Sequence, residues 1–162
     1  MKKLFFIVFI ITFVGCKTTV STDAKDPPIN MSDFKTVSKG MLFGDGEEGI
    51  NKSTLIIRDK KAWEMLTERM NTVNNVSNNF KGLPIDFSKE IVVAVFDQIR
   101  TSGGFTTTIF QVQYINGETK ITYTIEKPKP TDMVTAIMTQ PYHLIKLHKR
   151  KGTITIINKD QE

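Results

Sequence analysis

Few side chains in this sequence have the types and spacings that make an active site. His143 and His148 are its two histidines. They stand five apart on a predicted strand, and an odd offset sends their imidazoles to opposite faces, so they do not converge on one metal ion. A surface or interface position is the expectation for each. Ser102 lies in Thr101-Ser102-Gly103-Gly104 without the G-x-S-x-G surroundings of a nucleophile elbow, and turn formation accounts for the glycines. The loop Asp45-Gly46-Glu47-Glu48 offers the hard oxygen ligands that Ca²⁺ takes. It lacks the spaced carboxylates and the distant glutamate of an EF-hand loop, which leaves a solvated hairpin end. Lys146, His148, Lys149, Arg150 and Lys151 form a basic run suited to anionic headgroups or an acidic partner, though such runs at hairpin ends are ordinarily solvated. No catalytic, cofactor or metal site is therefore expected, and the chain reads as a non-enzyme. The remaining feature is a turn, Arg100 followed by Ser102, Gly103, Gly104 and Phe105. Its glycines reach backbone angles barred to other residues, and its arginine can fork onto a carboxylate or onto nearby carbonyls. A structural staple is the expectation, with Asp86 or a partner's group as the carboxylate.

A different chemistry belongs to Cys16, the only cysteine. Lys2 and Lys3 open the chain, Leu4 to Val14 form an apolar run broken by Thr12, and Gly15 precedes the thiol. Charge, short apolar core and small residue are the order of a secretory signal peptide. The run falls short of the roughly 20 residues that span a bilayer as a helix. Phe13-Val14-Gly15-Cys16 resembles a bacterial lipobox, with Phe13 where leucine is usual. The resemblance implies that the Cys16 thiol is lipidated, carrying acyl chains such as palmitate, and becomes the first residue after cleavage. Residues 1–15 are then the signal peptide, and residues 16–32, polar and proline-bearing, a lipidated tether too poor in apolar surface to fold. The expected location is the bacterial cell envelope, lipid-anchored at the periplasmic side or at the outer membrane.

Removing Lys2 and Lys3 with the leader leaves 20 basic against 17 acidic side chains, a formal charge of about +3. That mild excess bears on solubility and gives no footprint for nucleic acid. With one cysteine there is no disulfide within the chain, so residues 33–162 must be held by one hydrophobic core.

The elements of that core follow from periodicity. Phe34 to Phe43 and Ser53 to Arg58 read as strands. Asp59 is placed to cap a helix in which Ala62, Trp63, Leu66, Met70 and Val73 recur at three- and four-residue steps. Ile91 to Phe96 is a continuous apolar run, as in a strand covered on both faces. Phe110, Val112 and Tyr114 alternate with glutamines, Ile121, Tyr123 and Ile125 with polar residues, and Asn116-Gly117 between them suits a type I′ turn. Tyr142 to Lys149 and Thr153 to Ile157 make a last pair joined by a basic turn. The expectation is an α+β domain: a mostly antiparallel, twisted β-sheet of six to eight strands, mainly hairpin-linked, packed with one main amphipathic helix.

Three stretches then carry a likeness: Asp86-Phe87-Ser88-Lys89 entering the strand Glu90 to Val95, Arg100 before Thr101-Ser102-Gly103-Gly104-Phe105, and Pro141-Tyr142-His143-Leu144-Ile145-Lys146-Leu147-His148-Lys149. In order and spacing they resemble the C-terminal domain family of the protease complex subunit PrcB over roughly residues 55 to 157. Ser102 interrupts that family's T-G-G run, Phe105 replaces its tyrosine, and Gln98-Ile99 stands where it has a glycine. The resemblance implies an accessory role, since the name-giving protein is a lipoprotein associated with a subtilisin-type protease complex, and it supplies no active site. Two readings follow. In the first the chain is a lipid-anchored, non-enzymatic interaction protein whose partners are the membrane, through its lipid, and another exported protein, a protease among the candidates. In the second it binds a small molecule or glycan through the Arg100–Phe105 turn.

Overall fold

The computed structural model describes residues 34–161. Cys16, the leader and the tether lie outside the described residues. Among the described residues, seven strands and one α-helix form three layers. A sheet of four strands has the order β1-β6-β3-β2, where β1 is Phe34–Leu42, β2 Ser53–Ile57, β3 Glu90–Phe96 and β6 Gln140–His148. A sheet of three has the order β4-β5-β7, from Thr106–Ile115, Glu118–Glu126 and Thr153–Asn158. The helix α1, Lys60–Met70, covers the outer face of the larger sheet.

β3 explains the layering. Its residues alternate between faces, as in any strand. Val92, Ala94 and Phe96 meet Leu66 and Met70 of α1, whereas Ile91, Val93 and Val95 meet Ile109, Val112, Ile121 and Tyr123 of the smaller sheet. A strand between two cores needs apolar residues at every position, which is why Ile91 to Phe96, after the opening Glu90, carry no polar alternation. α1 begins where expected: the Asp59 carboxylate accepts from the Ala62 amide at 2.9 Å, meeting one of the first-turn donors. The helix ends at Met70, so Val73 falls beyond it and is exposed rather than packed. Trp63 is half-buried, tilted against Phe80 with ring centres 5.5 Å apart.

The α+β class and the predominance of antiparallel pairing hold, and the connectivity differs from a run of hairpins. Of the paired strands, β4 and β5 form the tight hairpin, turning at Asn116 (φ 53°) and Gly117 (φ 79°). β6 and β7 do not pair with each other. β6 lies between β1 and β3, while β7 crosses to the other sheet and runs parallel to β5. Gly152 marks that crossing: a Cβ there would lie 1.7 Å from the Gly117 carbonyl oxygen, so only glycine permits the approach. In β4 a bulge between Ile109 and Gln111 places Phe110 as the extra residue. The inward set is therefore Ile109, Val112 and Tyr114, and Phe110 is only half-buried, under the Lys159 ammonium at 5.5 Å.

Candidate functional site

The turn that follows β3 is bound into the chain on every side. Asp97, directly after the strand, is fully buried, and the Arg100 side chain is 16% exposed. Both Nε and Nη2 of Arg100 donate to Asp97 Oδ2 at 2.7 Å. Convergence on one oxygen leaves Asp97 Oδ1 buried without a partner among the described residues. The carboxylate is thus Asp97 and not Asp86. Asp86 instead folds back on Ser88, accepting from its amide at 3.0 Å and its hydroxyl at 2.5 Å, and these bonds hold its carboxyl below the usual value.

The opposite wall is the segment leading into β6. Arg100 N donates to Thr139 O at 2.7 Å and Thr139 N to Arg100 O at 2.9 Å. The Thr139 hydroxyl donates to Ser102 O at 3.1 Å, Gly103 N to Thr135 O at 3.0 Å, and Gln140 Nε2 to Asp97 O at 2.9 Å. The guanidinium lies 4.3 Å from the centre of the Phe105 ring, adding a cation–π attraction. A Cβ on Gly103 would stand 2.6 Å from Thr135 Oγ1, and one on Gly104, where φ is +86°, 2.7 Å from Val134 and 2.9 Å from Pro128. The glycines of the turn therefore serve close approach. They let the connection 127–139 lie directly on the turn.

That connection runs between β5 and β6 without helix or strand of its own, and connections of such length, about 12–15 residues, are uncommon in compact domains. Its base is fixed by the bonds above, and its outer part presents apolar side chains to solvent. Met133 is fully exposed, Ile137 is 53% exposed, and Val134 and Met138 are also exposed. Flexible, polarisable methionines suit adaptable contact surfaces. The five turn residues thus form one unit with a neighbour that sequence reasoning missed. The available signal was Met133-Val134 and Ile137-Met138 set among Pro, Lys and Thr outside any periodic element.

Of the other residues singled out by type, several are placed inside the fold. His143 is buried rather than at a surface. Its Nδ1 accepts from the Ile109 amide at 2.8 Å, which leaves Nε2–H to donate to Thr36 Oγ1 at 3.0 Å. Burial, with a smaller push from Lys39, lowers its pKa from 6.5 to about 4, so it is a neutral core imidazole joining the two sheets. His148 is exposed. Lys146, from the basic run, is also buried: its ammonium donates to Pro84 O at 2.7 Å and pairs with Glu90 at 3.1 Å. Burial pushes the Glu90 carboxyl up, and the Asp86 amide and Lys146 outweigh it, so the net shift is downward. Glu48 is buried too, accepting from Gly44 N at 2.9 Å, so the acidic loop is folded on itself and not simply solvated. Among the described residues no cluster of three or more His, Cys, Asp or Glu stands where it would hold a metal ion.

Two of the clefts among the described residues adjoin side chains weighed for small-molecule recognition, Arg100 and Trp63. One of about 170 Å³ includes Lys52, Arg100, Lys127 and Asp160 in its lining, and one of about 220 Å³ is lined by Trp63, Thr67, Ser77, Phe80, Lys81 and Leu83. Both fall below the roughly 300–1,000 Å³ of ordinary ligand pockets. Arg100 is committed to Asp97, Ser77 to Asn71, and the Thr67 hydroxyl to Glu64 O.

With this geometry in place, residues 91–148 match a family model described as PrcB C-terminal, the family that the sequence resembles. The matched stretch runs from β3 through β6 and contains the whole arginine–glycine turn and the loop that rests on it. Searches of curated proteins and of solved structures returned no match.

Proposed function

We propose that this chain is a lipid-anchored, non-enzymatic accessory protein of the cell envelope that holds another exported protein, a protease being the leading partner, through loop 127–139. The observation that carries the reading is that the matched stretch 91–148 includes an apolar loop tip exposed at Met133, Val134, Ile137 and Met138 on a hydrogen-bonded base. A rigid base reduces the ordering cost that a contact surface must meet on binding. The match suggests attachment to a protease complex. The lipobox-like Phe13-Val14-Gly15-Cys16 supports anchoring, since one acyl chain binds a membrane marginally and two or more hold it firmly.

The test is crosslinking in intact cells with wild-type chain and with a Met133→Asp/Ile137→Asp variant. Both positions are exposed, so the variant should fold as the wild type does. The expected result is capture of an exported protease by the wild type and its loss from the variant. Equal capture by both would overturn the assignment of the surface. Continued fatty-acid labelling of a Cys16→Ser chain would overturn the lipid anchor.

A further inference from the structure

We infer that the open edge of β2, with the groove it shares with α1, receives an extended segment of a protein partner whose apolar middle is flanked by acidic residues. This rests on the reading of the chain as an interaction protein, and it names a second surface, outside the family-matched residues 91–148.

An edge strand presents unpaired N–H and C=O groups, and proteins blunt such edges with bulges, charges or prolines. β1, the other edge of the same sheet, has a bulge between Thr36 and Ser38 and carries Lys35 and Lys39. β4, an edge of the smaller sheet, has its own bulge. β2 has no bulge, charge or proline between Ser53 and Ile57: it pairs with β3 in unbroken register, and its outer side has no partner strand among the described residues. Beside it lies a groove of about 280 Å³ lined by Leu55, Ile57, Ala62, Met65, Leu66 and Arg69 among others. Within the groove Leu55 is 37% and Met65 57% exposed. An added strand would bond to the edge through its main chain and place alternate side chains over Leu55 and Met65.

Charge selects the occupant. A second copy pairing antiparallel about Leu55 would set Lys52 opposite Arg58 at both ends of the strand, and like charges directly opposite are destabilising. The same two cations favour acidic residues at those places. Nearby carboxylates are engaged: Asp59 caps α1, and Glu64 pairs with Lys60 at 3.5 Å. Arg69, at the end of the groove, donates to Gly49 O.

The experiment uses the purified full chain and two labelled synthetic peptides, Glu-Val-Thr-Val-Thr-Val-Glu and the same peptide with lysine at both ends. Fluorescence anisotropy should show the acidic peptide binding at least about tenfold more tightly, from two cross-strand charge pairs. Hydrogen exchange should slow in residues 52–58 when it binds. A Lys52→Glu/Arg58→Glu variant, changed only at exposed positions, should reverse the preference. A preference that survives the charge reversal overturns the proposal, as does protection appearing away from β2. So does self-association of the chain that Leu55→Lys abolishes, because the occupant would then be a second copy. Since the probe is a defined peptide and the target a purified chain, these outcomes are independent of whether a protease is captured in cells.

Discussion

Replacing Arg100 by alanine should destabilise the domain by about 4 kcal/mol. Removing one partner of a buried ion pair leaves the other charge without compensation, at about 3–5 kcal/mol. Here the survivor is Asp97, whose side chain is wholly shielded from solvent and whose Oδ1 already lacks a partner among the described residues. Loss of the guanidinium from the Phe105 ring, 4.3 Å away, adds about 0.5–1 kcal/mol. Against the usual 5–15 kcal/mol of a small domain, this is about a quarter or more of the total. Trp63, the single tryptophan, is half-buried against Phe80, so its fluorescence reports unfolding in urea. With a slope of about 2 kcal/mol per molar, the midpoint should fall by about 2 M. The double variant Asp97→Asn/Arg100→Ala removes the stranded charge and should be more stable than Arg100→Ala alone. That sign is diagnostic, because independent losses would add. A midpoint for Arg100→Ala within about 0.3 M of wild type, or a double variant weaker than the single one, would refute the staple.

Gly104→Ala should destabilise by about 1–2 kcal/mol for the left-handed backbone alone, with further loss from Val134 and Pro128 at 2.7 and 2.9 Å, and limited proteolysis should show earlier cleavage within 127–139; an unchanged pattern would mean that the loop does not rest on the turn. Burial lowers the His143 pKa to about 4 in the folded chain, against about 6.5 when unfolded, so the unfolded chain takes up the proton first. Stability should therefore be unaffected by this group above pH 6.5, fall by about 3 kcal/mol on acidification from 6.5 to 4, and level off below. Denaturation at pH 7 and pH 5 should show a smaller difference for His143→Gln than for wild type, and an equal difference would contradict the buried, neutral assignment. Leu66→Ala should cost about 2–5 kcal/mol and exceed Trp63→Ala, because Leu66 is buried and Trp63 only half so; the reverse order in paired melts would misplace the face of α1.

What was legible in the sequence was local. The cap at Asp59, the run Ile91 to Phe96 and the Asn116-Gly117 turn each depend on neighbours within a few residues, and each is found where its pattern put it. Which strands share a sheet depends on pairing between distant segments. The last two strands, separated by a short basic turn, therefore read as a hairpin although β7 pairs with β5. A bulge shifts inward and outward positions by one without changing composition, which hid the half-exposed placement of Phe110. Buried charge was the other blind spot. Glu48, Asp97 and Lys146 look like surface residues by type, and only their partners, Gly44 N, Arg100 and Glu90, allow them inside. For Asp97 a signal did exist. An acid ending the most apolar strand, three residues before the arginine already singled out, was the nearest carboxylate in the chain.

Loop 127–139, seated on the arginine–glycine turn, is the surface proposed to meet an exported partner. The most direct measurement is a photo-crosslinking amino acid at position 133 in intact cells, compared with one at exposed Lys35 on β1. A single discrete adduct with an exported protein, a protease foremost, is expected from position 133 and none from position 35. A chain that is folded and exported yet gives no adduct at 133, or the same adduct from both positions, would contradict it.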